Sequence, residues 1–63
     1  MEKYHAMLTN EDRLICYGEE VIMASDAAEA RSKAEAWAAA YREKNPNQEV
    51  VLEIRDSKGL RVP

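Results

Sequence analysis

A single cysteine, Cys16, stands in this chain of 63 residues, so no disulfide can form within it. A domain this short buries only about 60% of the surface its unfolded chain exposes. Its core must therefore come from apolar packing or from a partner subunit. Nothing resembles a disulfide-stapled secreted scaffold, and a reducing, cytoplasmic setting is the expectation. No apolar run approaches the roughly 20 residues needed to span a bilayer. The N-terminus MEKYHAML has neither the apolar stretch nor the small-residue cleavage site of a signal peptide. Gly18 and Gly59 are the only glycines, which leaves no phosphate-binding glycine loop. One histidine and one cysteine do not supply the three or four ligands of a metal centre, and no cofactor motif is present.

Apolar residues make up 46% of the chain, which favours folding over disorder. The net charge is only −3, but it is unevenly placed. Residues 1–30 hold seven acids and two bases, whereas residues 31–63 hold five acids and seven bases. There is no strong basic stripe of the kind a polyanion-binding domain carries.

The periodicity predicts one α+β domain over residues 1–63, with one long helix packed on one face of a small antiparallel or mixed sheet of four to five strands, in the order βββαββ. The helix is expected from Asp26 to Lys44. Asp26-Ala-Ala-Glu29 reads as a capping box, alanine is the best helix former, and Asn45-Pro46 stops the run. Ala30, Ala34, Trp37 and Tyr41 fall on one stripe, small at one end and aromatic at the other.

Strands are expected at Lys3–Thr9 and Arg13–Tyr17, with a type II′ turn at Gly18 leading into a third at Val21–Ala24. Glu49–Arg55 alternates with Val50, Leu52 and Ile54 on one side. The turn Asp56-Ser57-Lys58-Gly59 then leads to a short strand at Leu60–Val62. In this register Tyr4, Ala6, Leu8, Leu14, Cys16, Val21 and Met23 face the helix. His5, Met7, Thr9, Arg13, Ile15, Tyr17, Ile22 and Val51 face away.

That opposite face carries more apolar surface than a solvated sheet needs. Its expected role is contact with a partner protein or a second copy, a homodimer. Candidate partner-binding residues are His5, Met7, Ile15, Tyr17 and Ile22, with the acidic turn pairs Glu11-Asp12 and Glu19-Glu20. Exposed β-branched and aromatic residues also suit strands for their own sake.

Catalysis finds no residue set. Cys16 and His5 are expected on opposite faces, with Cys16 a buried, inert thiol. The carboxylate pairs sit at solvated turns. Nucleic acid is a weaker alternative, through the basic cluster Arg55, Lys58 and Arg61 on the last hairpin, which lacks interleaved aromatics.

The succession of a strand hairpin region, SDAAEARSKAEAWAAAY and EVVLEIRDSKGLRV resembles that of small bacterial and phage ββ(β)αββ domains. Some of these are phage-encoded inhibitors, including anti-CRISPR proteins, that block a host nuclease complex. The resemblance lies in size and element order over most of the chain. It implies a non-enzymatic, stoichiometric inhibitor that works by occupying a surface. The charge of −3 departs from the dense carboxylates of DNA mimics, so occlusion is the implied mode.

Overall fold

Alanine determines how closely the helix can approach the sheet. The computed structural model describes residues 1–62 and contains strand β1 (Glu2–Thr9), strand β2 (Cys16–Ala24), helix α1 (Ala27–Lys44) and strand β3 (Val51–Arg55). The three strands form one antiparallel sheet in the order β2-β1-β3, and α1 packs on one face of it.

The helix begins as the sequence predicts. Asp26 is the N-cap, and its Oδ1 accepts from the Glu29 backbone N–H at 2.8 Å. The Glu29 carboxylate reaches back to the N–H of Ser25, also at 2.8 Å, one residue earlier than a standard capping box. A cap of this kind is worth about 1 kcal/mol. The helix stops at Asn45, ahead of Pro46, without a left-handed cap. Asn45 has φ −133° and closes the helix by donating its backbone N–H and its side-chain amide to the carbonyl of Tyr41.

Among the described residues three strands replace the expected four to five. Gly18 makes no turn, because the only glycine with positive φ is Gly59. Cys16–Ala24 instead runs straight through as one strand. A Cβ on Gly18 would lie 3.6 Å from Cζ2 of Trp37, so this glycine lets the indole sit close to the sheet. At the other end, Asp56–Gly59 turns as expected, with Gly59 donating its N–H to the Asp56 carbonyl at 3.0 Å. The final strand shrinks to an isolated bridge between Arg55 and Arg61, with the Val62 N–H on the Ile54 carbonyl at 2.8 Å.

Register corrects the expected faces of β2. Tyr4 pairs with Ile22, Ala6 with Glu20 and Leu8 with Gly18, whereas Thr9 pairs with Cys16. The shift between Leu8 and Thr9 leaves Tyr17 as the extra residue of a bulge. Cross-strand partners share a face, so Ile22 and Ala24 go under the helix and Val21 and Met23 point away.

The core joins Tyr4, Ala6 and Leu8 of β1, Ile22 and Ala24 of β2, Ile54 of β3, and Val62 to Ala30, Ala34 and Ala38 of α1. Half of these ten buried apolar residues are alanine. Trp37 and Leu52 pack at its margin, and Tyr17 stacks on Tyr41 with ring centroids 6.3 Å apart. No helix among the described residues is long and apolar enough to cross a membrane.

Candidate interaction surface

With one helix on one side, the other side of the sheet is left to the odd-numbered positions. Lys3, His5 and Met7 come from β1, Glu19, Val21 and Met23 from β2, and Val51, Glu53 and Arg55 from β3. Val21 and Met23 are 51% and 45% exposed on β2, and Met7 on the central strand and Val51 on β3 are half-buried on the same face. A patch of four aliphatic and thioether side chains therefore lies on the uncovered face.

This composition differs from the one the sequence led us to expect. His5, Met7 and Val51 lie on the free face as predicted, and Glu19, expected in a turn, lies there too because it falls within β2 opposite Met7. Ile22 is only 6% exposed and belongs to the core, and Tyr17 turns to the helix side through the bulge. Thr9 keeps the free face through its pairing with Cys16 and Val51 but is buried there, its hydroxyl donating to the Asn10 carbonyl. Ile15 leaves the sheet altogether and stands exposed in the β1–β2 loop with Leu14, Glu11, Asp12 and Arg13. Glu20 is exposed on the helix side, opposite Ala6. The residues expected to face the helix in exchange, Leu14, Cys16, Val21 and Met23, are all outside.

Cys16 is thus an exposed thiol and shares the free face with His5, contrary to the predicted arrangement. The two remain apart. Cys16 pairs with Thr9, four residues along β1 from His5, or about 13 Å at the rise of a strand. They do not form a nucleophile–base pair.

The loop from Asn10 to Ile15 is tied down from within. Asn10 Oδ1 accepts from the backbone N–H groups of Leu14 and Ile15, at 2.8 and 3.1 Å. The Asn10 backbone donates to the Ile15 carbonyl and accepts from Arg13. At the tight point Arg13 has φ 60°, a left-handed conformation that costs a non-glycine residue roughly 1–2 kcal/mol. The loop holds Leu14 83% exposed at its tip.

Arg13 from this loop reaches Glu53 on the free face, where two more arginines meet it. Glu53 Oε1 lies 2.9 Å from Arg61 and 3.6 Å from Arg13, and its Oε2 accepts from Arg55 Nε at 3.0 Å. The Glu53 side chain is largely covered, whereas each arginine side chain stays about half exposed. Arg55 is fixed further by donating to the Gly59 carbonyl at 2.8 Å. The sequence drew attention to Arg55, Lys58 and Arg61, but the fold substitutes Arg13 for Lys58. No local spacing points to that substitution. It follows from the strand order, which puts the β1–β2 loop next to β3.

A second charge cluster sits beside the loop. Glu11 and Glu49 share a hydrogen bond, and this contact with their mutual repulsion holds the Glu11 carboxyl above its ordinary value of 4.5. A raised folded-state value means the folded protein holds this proton more tightly. The stabilisation is complete below the ordinary value and is lost as pH rises through the raised one. Glu11→Gln keeps a donor for Glu49 and removes the repulsion. Relative to the wild type, the variant is expected to melt higher at neutral pH, with the difference vanishing below the ordinary carboxylate range. Thermal melts at a series of pH values check this, and a difference independent of pH would contradict the shared proton.

A shallow recess of about 320 Å³ is lined by Glu2, Tyr4, Ala27, Asp56, Lys58 and Val62 among others. Burial, followed by the nearby Glu2 carboxylate, pushes the Tyr4 hydroxyl above its ordinary value of 10.0. Its O–H donates to Glu2, and Asp56 Oδ1 is committed to the N–H groups of Lys58 and Leu60. Nothing converges there as a nucleophile with a base. No group of three or more metal-ligating side chains occurs among the described residues.

Geometry and chemistry together define a small α+β domain with a closed helix side and an open sheet side. No protein-family model, curated protein or solved structure matches the chain.

Proposed function

We propose that this protein is a non-enzymatic interaction module that docks a partner protein on the uncovered face of its sheet. The supporting observation is the exposed apolar patch of Val21, Met23, Met7 and Val51 on a domain with so little apolar surface to spare. The sheet edges are less suitable. Lys33 Nζ donates to the Met23 carbonyl at 2.8 Å and blunts the edge of β2, whose Glu19 and Glu20 also discourage strand addition. Val62 covers the edge of β3 at Ile54. Leu14 and Ile15, held out by the ordered loop, extend the docking surface beyond the strands.

Such a module acts by occupying a surface, the mode that the resemblance to phage inhibitors of host complexes implies. The exposed Cys16 thiol fits a reducing, cytoplasmic setting.

Val21→Asp tests the reading, because it puts a charge at the most exposed aliphatic position of the patch while leaving the core intact. Ile22→Asp is unsuitable, since it would bury a carboxylate and unfold the chain. Immobilised wild type and Val21→Asp are compared for partner capture from bacterial lysate, with circular dichroism as the folding control and light scattering for mass. Loss of the captured protein by a folded Val21→Asp is the expected result. Equal capture by both removes the sheet face as the site.

A further inference from the structure

Charge is partitioned across this molecule more sharply than its total suggests. The free face and the groups reaching it hold four bases, Lys3, Arg13, Arg55 and Arg61, against two acids, Glu19 and Glu53. The rest of the chain then holds five bases against ten acids. An acidic protein thus carries a net positive sheet face, and three of its four bases converge on one carboxylate.

Two locally unfavourable features meet at that point. Arg55 and Arg61 are directly paired across a bridge, where like charges oppose each other. Arg13 reaches the same carboxylate from a left-handed backbone that a glycine would adopt without strain. Glu53 neutralises only one of the three cations. Local costs that coincide at one surface point mark a site shaped for something besides stability.

Resting on the sheet-face reading above, we propose that Arg13, Arg55 and Arg61 form a pre-organised clamp for a carboxylate of the partner, which presents an acidic segment with apolar residues beside it. Glu53 holds the guanidiniums in place through one edge of each and leaves other N–H groups of the forks available. The apolar neighbours are received by Met7, Val21, Met23 and Val51. The same charge excess makes a second copy a poor occupant, since two such faces would oppose positive to positive. Nucleic acid is a poor one too, because the strand positions on this face carry no Phe, Tyr or Trp on which bases could stack.

The probes are two short synthetic peptides, one alternating leucine with glutamate and the other leucine with lysine. Inorganic phosphate and a single-stranded oligonucleotide complete the set. Binding is followed by fluorescence anisotropy and by the NMR signals of the arginine Nε–H groups. The Leu/Glu peptide is expected to bind, to weaken with added salt, and to shift the signals of the three arginines. Arg61→Gln should weaken it about tenfold, the low end for a charged hydrogen bond at half-exposed groups. Arg13→Gly should weaken it similarly without lowering the melting temperature, which separates binding from folding.

Failure of the Leu/Glu peptide to bind, or equal binding of the Leu/Lys peptide, overturns the clamp. Tighter arginine-dependent binding of phosphate or of the oligonucleotide overturns it in favour of a phosphate ligand. If the arginine variants bind normally while Val21→Asp does not, the clamp fails and the sheet-face reading survives. If Val21→Asp also binds the Leu/Glu peptide normally, both fail.

Discussion

Ile54→Ala is expected to leave much of the chain unfolded in water at room temperature. Ile54 is 1% exposed, and with Leu8 it is one of the two largest fully buried side chains. Truncating a buried isoleucine to alanine costs about 2–5 kcal/mol through lost transfer energy and the cavity left behind. A domain of 63 residues has in total about 3–9 kcal/mol of stability, at the usual value per residue. The upper half of the first range reaches into the second. Relaxation will not refill the space easily, because the partner of Ile54 across the strand is Ala6 and the buried residues that the helix contributes are all alanines. Urea titration followed by circular dichroism measures the effect. Val51→Ala, three residues earlier on the same strand and on the free face, is the control and should cost well under half as much. Similar losses in the two variants would mean that the core lies elsewhere.

The same scarcity of large buried side chains explains which parts of the fold were legible. The helix could be read from residues 25–46 because its start, interior and stop each have their own local chemistry: Asp26 and Glu29, the alanines, then Asn45 and Pro46. β3 could be read because Leu52 and Ile54 alternate with Glu53 and Arg55. β2 could not. From Val21 to Ala24 four apolar residues follow one another, so pattern alone fits either face. The decision lies with a distant residue. Trp37 needs the space above Gly18, which keeps Gly18 in the strand and sends Ile22 inward with it. A glycine beside two glutamates looks like a hairpin until the indole is in view.

The candidate surface was legible to a similar degree. That a single helix leaves one sheet face open follows from element order, and His5 and Met7 on β1 were placed correctly because the phase of β1 is unambiguous. Assigning Ile22 and Tyr17 to that face carried over the error in β2. The arginine cluster was half visible, as Arg55 and Arg61, because those two are near in sequence. Arg13 lies forty residues or more from both and is brought in by the antiparallel pairing of β1 with β3 and by the Asn10-bound loop.

Ala34→Leu is the second large effect expected. Ala30, Ala34 and Ala38 are fully buried on the inner side of α1, and only their single methyl groups separate the helix backbone from the sheet. Leucine at the middle position adds three carbons where no space exists. Intrinsic propensity barely changes, since leucine ranks next to alanine in helices. Overpacking of this kind costs about 1–3 kcal/mol, and here the helix can relieve it only by rising from the sheet. Rising would draw Trp37 off Gly18 and Tyr41 off Tyr17, the contacts that hold the bulged end of β2 in register. The loss should therefore appear twice, as a lower melting temperature and as faster amide exchange along β2 ahead of β1. Ala36→Leu, on the exposed side of the same helix, makes an equal change in sequence with no sheet to meet. If the two leucine variants prove equally stable, the close approach of helix and sheet is not what holds β2 in place. The free face would then owe its composition to something other than the alanine seam beneath it.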